Sequence, residues 1–313
     1  MSDANLDPRS SFSTQKRGFF ASGQAVWQWW QEAQGAAIAA NIPVEEATWL
    51  LQQSSALSNL DMRLERFKDQ PQIELVMPLE ELVQRWQQRI QQHTPVQYLA
   101  GTTPWRNFQL TVSSAVLIPR PETELLIDLA LRLSPLASCP SPSHWTDLGT
   151  GSGAIALGLA TALPHATIHA VDCSHEALAI AQFNAQAYRL TERIQFYHGV
   201  WFEPLAHLQG CLDGMVSNPP YIPSQMVLEL EPEVTQHEPH LALDGGSDGL
   251  DCIRHLVADA PDYLRSGGIW LIELMMGQAA SVVDLLWANG NYRDVQIHQD
   301  LAGIERFVSA LRI

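Results

Sequence analysis

The chain has 313 residues, 46% hydrophobic and 17% charged, which excludes a disordered protein and exceeds what one average domain needs. Eighteen basic against 34 acidic residues give a formal charge of -16, with Lys only at Lys16 and Lys68; that balance disfavours stable nucleic-acid binding, which depends on neutralising phosphates. Cys139, Cys173, Cys211 and Cys252 stand apart with no C-x-x-C pair, and no apolar run reaches the roughly 18 residues of a membrane helix, so a cytoplasmic protein without membrane contact is expected.

Residues 1–20 are mostly polar and read as a flexible tail. From 21 to 95 the pattern is helical: Ala25, Trp29 and Ala33 recur at helical spacing, and Leu79, Leu82, Val83, Trp86 and Ile90 form one apolar face. Pro43 and Pro78 stand where a first turn begins, with Glu45, Glu46, Glu80 and Glu81 placed to favour the positive end of the helix dipole. A small all-helical N-terminal domain is predicted. Its tryptophans, Trp27, Trp29, Trp30, Trp49 and Trp86, read as core, with an exposed docking face the alternative for a few of them.

Residues 96–140 read as a linker hairpin followed by a first helix. Over 141–313, β-type runs (His144–Leu148, Ala166–Val171, Ile194–Tyr197, Gly214–Ser217, Ile269–Glu273) alternate with helical ones (Ala154–Leu163, His175–Tyr188, Leu250–Leu264, Gln278–Ala288). Alternation of this kind predicts βαβ crossovers and an α/β, doubly wound, mostly parallel sheet that places ligands at the carboxyl ends of its strands. Tyr292–His298 and Arg306–Leu311 are joined by a short link and read as a closing hairpin, which brings the sheet to seven strands.

After the first of these strands stands Asp147-Leu148-Gly149-Thr150-Gly151-Ser152-Gly153, then an apolar helix. The glycines let the backbone turn tightly and approach a ligand. Their spacing is not that of a dinucleotide fingerprint, and no phosphate-binding Gly-Lys-Ser/Thr follows. Asp172, at the end of the second strand, is placed to accept both ribose hydroxyls. A nucleoside without phosphates suits this loop, and S-adenosylmethionine is one; a tight β-to-α turn without a ligand is the alternative for the loop taken alone. Trp201 is placed to flank adenine or to belong to the core.

Asn218-Pro219-Pro220-Tyr221 follows the fourth strand. Two prolines end the strand and remove two N–H donors, leaving carbonyls outward as a rigid acceptor platform. An amide nitrogen is a poor nucleophile because its lone pair is delocalised. The Asn218 side-chain oxygen and the Pro219 carbonyl, each accepting one N–H, would aim that lone pair at a methyl carbon and stabilise the charge that develops on nitrogen. Tyr221 would pack on the planar group and offer a π face to a cation. His237 and His240, separated by Pro239, read as a plain loop, and no metal site is expected.

Together with Thr94–Gly101, Leu117–Glu124, Val216–Ile222 and His237–Leu250, these motifs resemble the peptide chain release factor glutamine methyltransferases, over nearly the whole chain. The segments Pro119-Arg120-Pro121-Glu122-Thr123-Glu124 and Ala242-Leu243-Asp244-Gly245-Gly246 carry the family specificity. The resemblance implies that Gly149, Thr150, Gly151, Ser152, Gly153, Asp172, Trp201 and Asn218 contact S-adenosylmethionine. It implies that Asn218, Pro219, Pro220 and Tyr221 hold the glutamine of a Gly-Gly-Gln loop in a class-I release factor, with Asn218, Pro219 and Tyr221 catalytic and the helical domain docking the protein substrate. Arg120 and Glu122 either line the cofactor entrance or, for Glu122 with Glu124, favour the first turn of a helix starting near Thr123. The rival readings are a nucleic-acid exocyclic-amine methyltransferase, which uses the same Asn-Pro-Pro-Tyr logic on a flipped base, and a non-catalytic adaptor on the same fold.

Overall fold

Phe19–Ala21 (β1), two of whose residues the sequence assigns to the tail, pairs antiparallel with Ile73–Leu75 (β2) in the computed structural model, which describes residues 18–134 and 142–313. Residues 1–17 of the tail and Cys139 lie outside the described residues. A strand of three residues has no periodicity of its own to betray it; its partner fixes it, and the buried Ile73 and Leu75 anchor that partner. The helical region therefore carries a short ribbon in addition to its helices.

Those helices are Gly23–Ala39 (α1), Glu45–Gln53 (α2), Asn59–Leu64 (α3), Leu79–Gln92 (α4) and Val96–Ala100 (α5). Ser22 caps α1 through Ala25 N, and Ser58 and Asp61 close a capping box on α3. Trp29, Trp30 and Trp86 are buried, while Trp27 and Trp49 pack half-buried against the same core, so the tryptophans serve packing. Their indole N–H groups find acceptors: Trp30 in Thr48 Oγ1 at 3.0 Å and Trp86 in the Ala33 carbonyl at 3.2 Å. By internal contacts this unit runs to Thr102 and also includes Glu231–His237.

The second unit, Thr103–Leu230 with Glu238–Ile313, opens with a two-stranded ribbon of Thr102–Trp105 (β3) and Phe108–Thr111 (β4), then a helix Leu125–Leu133 (α6). Strand and helix then alternate: Ser143–Leu148 (β5), Ala154–Ala162 (α7), Ala166–Asp172 (β6), His175–Ala187 (α8), Ile194–His198 (β7) and Leu212–Ser217 (β8). The short helices Ser224–Val227 (α9) and Pro232–His237 (α10) follow, the latter within the first unit. Asp251–Tyr263 (α11), Leu264–Glu273 (β9), Ala279–Asn289 (α12), Tyr292–Gln299 (β10) and Glu305–Arg312 (β11) complete the chain.

The seven strands lie in the order β10-β11-β9-β8-β5-β6-β7. Six of them point the same way, and β11 alone of the seven is antiparallel to both its neighbours, as the alternating pattern with its terminal hairpin predicts. Successive residues on a strand enter opposite cores: Val216, Leu271 and Phe307 pack with α6 and α7, Met215, Trp270 and Val308 with α11 and α12. Helix α7 lies within apolar surroundings along nearly its whole length, which is why it carries no polar face. Strand β9 begins five residues before the predicted start and takes in Arg265-Ser266-Gly267-Gly268. That stretch is a bulge, with Gly267 at φ +75° and a register shift opposite Leu212 and Gly214.

Candidate active site

The parallel register sets Leu148 at the end of β5 beside Val171 on one side and Ser217 on the other. The Gly149–Gly153 loop, Asp172 and Asn218 therefore emerge together at the carboxyl edge of the sheet. Asp147, fully buried just before the loop, shapes it from beneath: one carboxylate oxygen accepts the Thr150 hydroxyl at 2.6 Å and Ala156 N at 3.0 Å. Burial pushes the Asp147 pKa up to about 7. Gly149, Gly151 and Gly153 all lie at positive φ, and a Cβ built on Gly151 would face open space. Gly153 instead caps α7 with its back against Ala181, where a Cβ would stand 3.1 Å from the Ala181 Cβ.

The Asp172 carboxylate accepts Gly151 N at 2.8 Å and Ser174 N at 2.9 Å. Each oxygen has a second lone pair, so the group can still serve two hydroxyl donors. Burial raises its pKa, and the backbone donors of Ser174 and Gly151 oppose that rise. Trp201 turns at φ 48°, an uncommon value for a bulky residue, and sets its indole 3.7 Å from where a Gly149 Cβ would sit.

A cleft of about 320 Å³ joins these parts, and Gly149, Thr150, Gly151, Ser152, Asp172, Trp201, Asn218 and Pro220 all line it. Gly153, Pro219 and Tyr221 do not. Thr123, Pro239, Leu241 and Cys252 contribute walls that the sequence reading did not assign. A cradle of side-chain-free backbone, a carboxylate with spare lone pairs and mostly aliphatic walls fits a cationic nucleoside.

Asn218 Nδ2 donates to Thr123 Oγ1 at 3.3 Å, and the Tyr221 hydroxyl donates to Glu273 Oε1 at 3.0 Å. Burial and the Glu273 carboxylate raise the Tyr221 pKa above its ordinary range, so the phenol stays protonated. Arg120 does not line the cleft; its Nη2 donates to both carboxylate oxygens of Glu238, at 2.8 and 2.9 Å. Glu122 and Glu124 form a 3-10 turn ahead of α6, and Glu124 accepts Arg106 N at 2.8 Å. Asn184 of α8 is buried and ties the loop to β4, donating to the Ser152 and Thr111 carbonyls at 2.9 and 3.0 Å and accepting Thr111 N at 2.8 Å. Among the described residues no group of three or more His, Cys, Asp or Glu side chains is arranged to hold a metal, and no helix is long and apolar enough to cross a membrane.

The strand order, with a glycine-loop cleft at the carboxyl edge, defines a class I methyltransferase domain. Residues 130–237 match the methyltransferase small domain model. The hMettl16 catalytic domain, solved in complex with a 3'UTR hairpin, shares the fold at a TM-score of 0.52 and 13% identity, covering 74% of this chain and 80% of its own. A release factor glutamine methyltransferase of Synechocystis is 52% identical over 93% of this chain and 97% of its own length. Another, of Thermosynechococcus vestitus, is 49% identical over 92% and 99%. The chain belongs to the release factor glutamine methyltransferase family.

Proposed function

We propose that this enzyme methylates the side-chain amide nitrogen of the glutamine in the Gly-Gly-Gln loop of class-I peptide chain release factors, in the cytoplasm. Bound S-adenosylmethionine supplies an electrophilic methyl group on a sulfonium. Gly149 to Gly153 would hold its nucleoside end, Asp172 the ribose hydroxyls and Trp201 the adenine face. Asn218 and Pro219 offer acceptors to the two N–H groups of the substrate amide, which directs the nitrogen lone pair and stabilises the charge it gains. The methylated nitrogen is acidic enough to release its proton to water, so a strong general base is unnecessary. Tyr221, its hydroxyl engaged by Glu273, would serve through its ring.

The observation that carries this reading is the orientation of Asn218. Its Nδ2 is taken by Thr123, so Oδ1, the acceptor end, is turned the other way on a residue that lines the cleft. Family membership and the 52% identity to a relative bearing the activity in its name support the substrate. With radiolabelled S-adenosylmethionine, purified enzyme should label an intact release factor and leave duplex DNA and ribosomal RNA unlabelled. Label on nucleic acid alone would favour the base-methylating rival, and cofactor binding without turnover on any of these would favour the adaptor.

A further inference from the structure

Pro219 and Pro220 bring no N–H donors of their own, so the platform that follows β8 is anchored through its carbonyls and through the residues around it. One anchor is Gln278, 6% exposed ahead of α12. Its Nε2 donates to the Tyr221 carbonyl at 2.9 Å and lies 3.3 and 3.4 Å from the Gly249 and Asp248 carbonyls. Its Oε1 accepts Met275 N at 3.0 Å, and its own backbone N–H closes the same turn on the Met275 carbonyl at 3.1 Å. A backbone N–H can only donate and a carbonyl can only accept, so these partners fix which end of the Gln278 amide faces Tyr221.

A second strut meets the platform at the next residue. Ile222 N donates to the Leu243 carbonyl at 3.0 Å and the Ile222 carbonyl accepts Gly245 N at 2.9 Å, which makes a parallel bridge between Ile222 and Asp244. From there the chain lies directly on the platform's backbone. A Cβ on Gly245 would stand 2.8 Å from the Pro220 oxygen and the Tyr221 Cα, and one on Gly249, at φ +77°, would stand 2.3 Å from the Tyr221 oxygen. Pro220 and Asp244 both line the cleft, so platform and brace reach it together. Capture of one amide by two acceptors depends on their spacing, and an error of about 1 Å in such a geometry costs on the order of a hundredfold in rate.

We infer that Gln278 is a positioning residue. By holding the Tyr221 carbonyl against the 245–249 segment, it keeps the Pro219 carbonyl and the Asn218 side chain at the spacing that the two N–H groups of one amide require. The inference rests on the reading of Asn218 and Pro219 as the amide acceptors. Steady-state kinetics with intact release factor, together with calorimetric titration of S-adenosylmethionine, test it. Gln278→Met, of similar length but without the amide, should lower kcat on the order of ten- to a hundredfold. KM for the release factor and cofactor affinity should stay within about threefold. Gln278→Glu, assayed at a pH above the ordinary carboxylate range, keeps the length and the acceptor for Met275 N but loses the donor to Tyr221, so its kcat should fall at least as far. It also carries the test if Gln278→Met does not yield folded protein. In an Asn218→Ala background, Gln278→Met should cost less than in wild type, because one of the two acceptors it aligns is already gone.

An unchanged kcat in Gln278→Met, wild-type turnover in Gln278→Glu, a loss of cofactor affinity as large as the loss of kcat, or full additivity on Asn218→Ala would each overturn the inference. A wild-type enzyme that fails to methylate release factor would overturn the proposed function instead, and the same assay separates that outcome.

Discussion

Asp147 illustrates how far a single residue's role departs from its motif. In sequence it is the acid that precedes a glycine loop; in the fold it faces inward, holds Thr150 and Ala156, and has a pKa near 7. A carboxyl whose folded pKa exceeds its unfolded value binds more protons folded than unfolded. Its contribution to stability is then fully present below the unfolded pKa and is lost as pH rises toward 7. Asp147→Asn keeps an acceptor for both donors without the ionisation, so its melting temperature should gain on wild type as pH rises from the ordinary carboxylate value of 3.8 towards about 7, and the difference should level off above that. Parallel thermal scans check this, and a constant difference across that window would contradict it. Asp172 does face the cleft, and Asp172→Ala should weaken S-adenosylmethionine binding by roughly 1 to 3 kcal/mol in calorimetric titration of folded protein. Of the site's residues, the glycines, Asp172, Trp201 and the Asn-Pro-Pro-Tyr segment are legible in sequence because each carries a local signature, a turn or a strand end. Thr123 and Glu273 carry none: a threonine before a helix and a glutamate ending a strand look ordinary until the fold sets them beside Asn218 and Tyr221.

At the scale of elements, periodicity located the helices of the sheet domain and most strand ends to within a residue or two, because burial on alternate faces writes itself into the chain. What it missed was held by remote partners: the ribbon of β1 with β2, the bulged start of β9, and Asn184. Within α8 the pattern gives Asn184 no distinction, yet its side chain joins that helix to β4 and to the glycine loop. Asn184→Leu should strand the Thr111 and Ser152 backbone groups and destabilise the protein by about 2 to 4 kcal/mol in chemical denaturation. Cofactor affinity should fall with it, while kcat at saturating cofactor should change little, since no reacting group is touched. A drop in kcat with affinity intact would mean that α8 acts on the chemistry by another route.

For the whole molecule, the chain's routing rests on groups that a linear reading cannot pair. Arg89, 4% exposed, bonds Glu46 at 2.5 Å and Glu233 at 2.7 Å, so a segment from late in the chain is fastened among helices from its beginning. Burial works against its charge and the two carboxylates sustain it. Arg89→Ala should cost about 3 to 5 kcal/mol, because it leaves both carboxylates without their partner; a change below about 1 kcal/mol in denaturant titration would show the pairs to be solvated rather than structural. The net charge of -16 disfavours a grip on nucleic acid that depends on neutralising phosphates, and a protein is the substrate to be tested. The most direct test is tandem mass spectrometry of release factor after reaction with wild-type and Asn218→Ala enzyme at saturating S-adenosylmethionine. Wild type should add a single methyl to the side chain of the Gly-Gly-Gln glutamine, and Asn218→Ala should leave that glutamine almost unmodified while still binding cofactor. A methyl on another residue, or equal modification by the variant, would contradict the account.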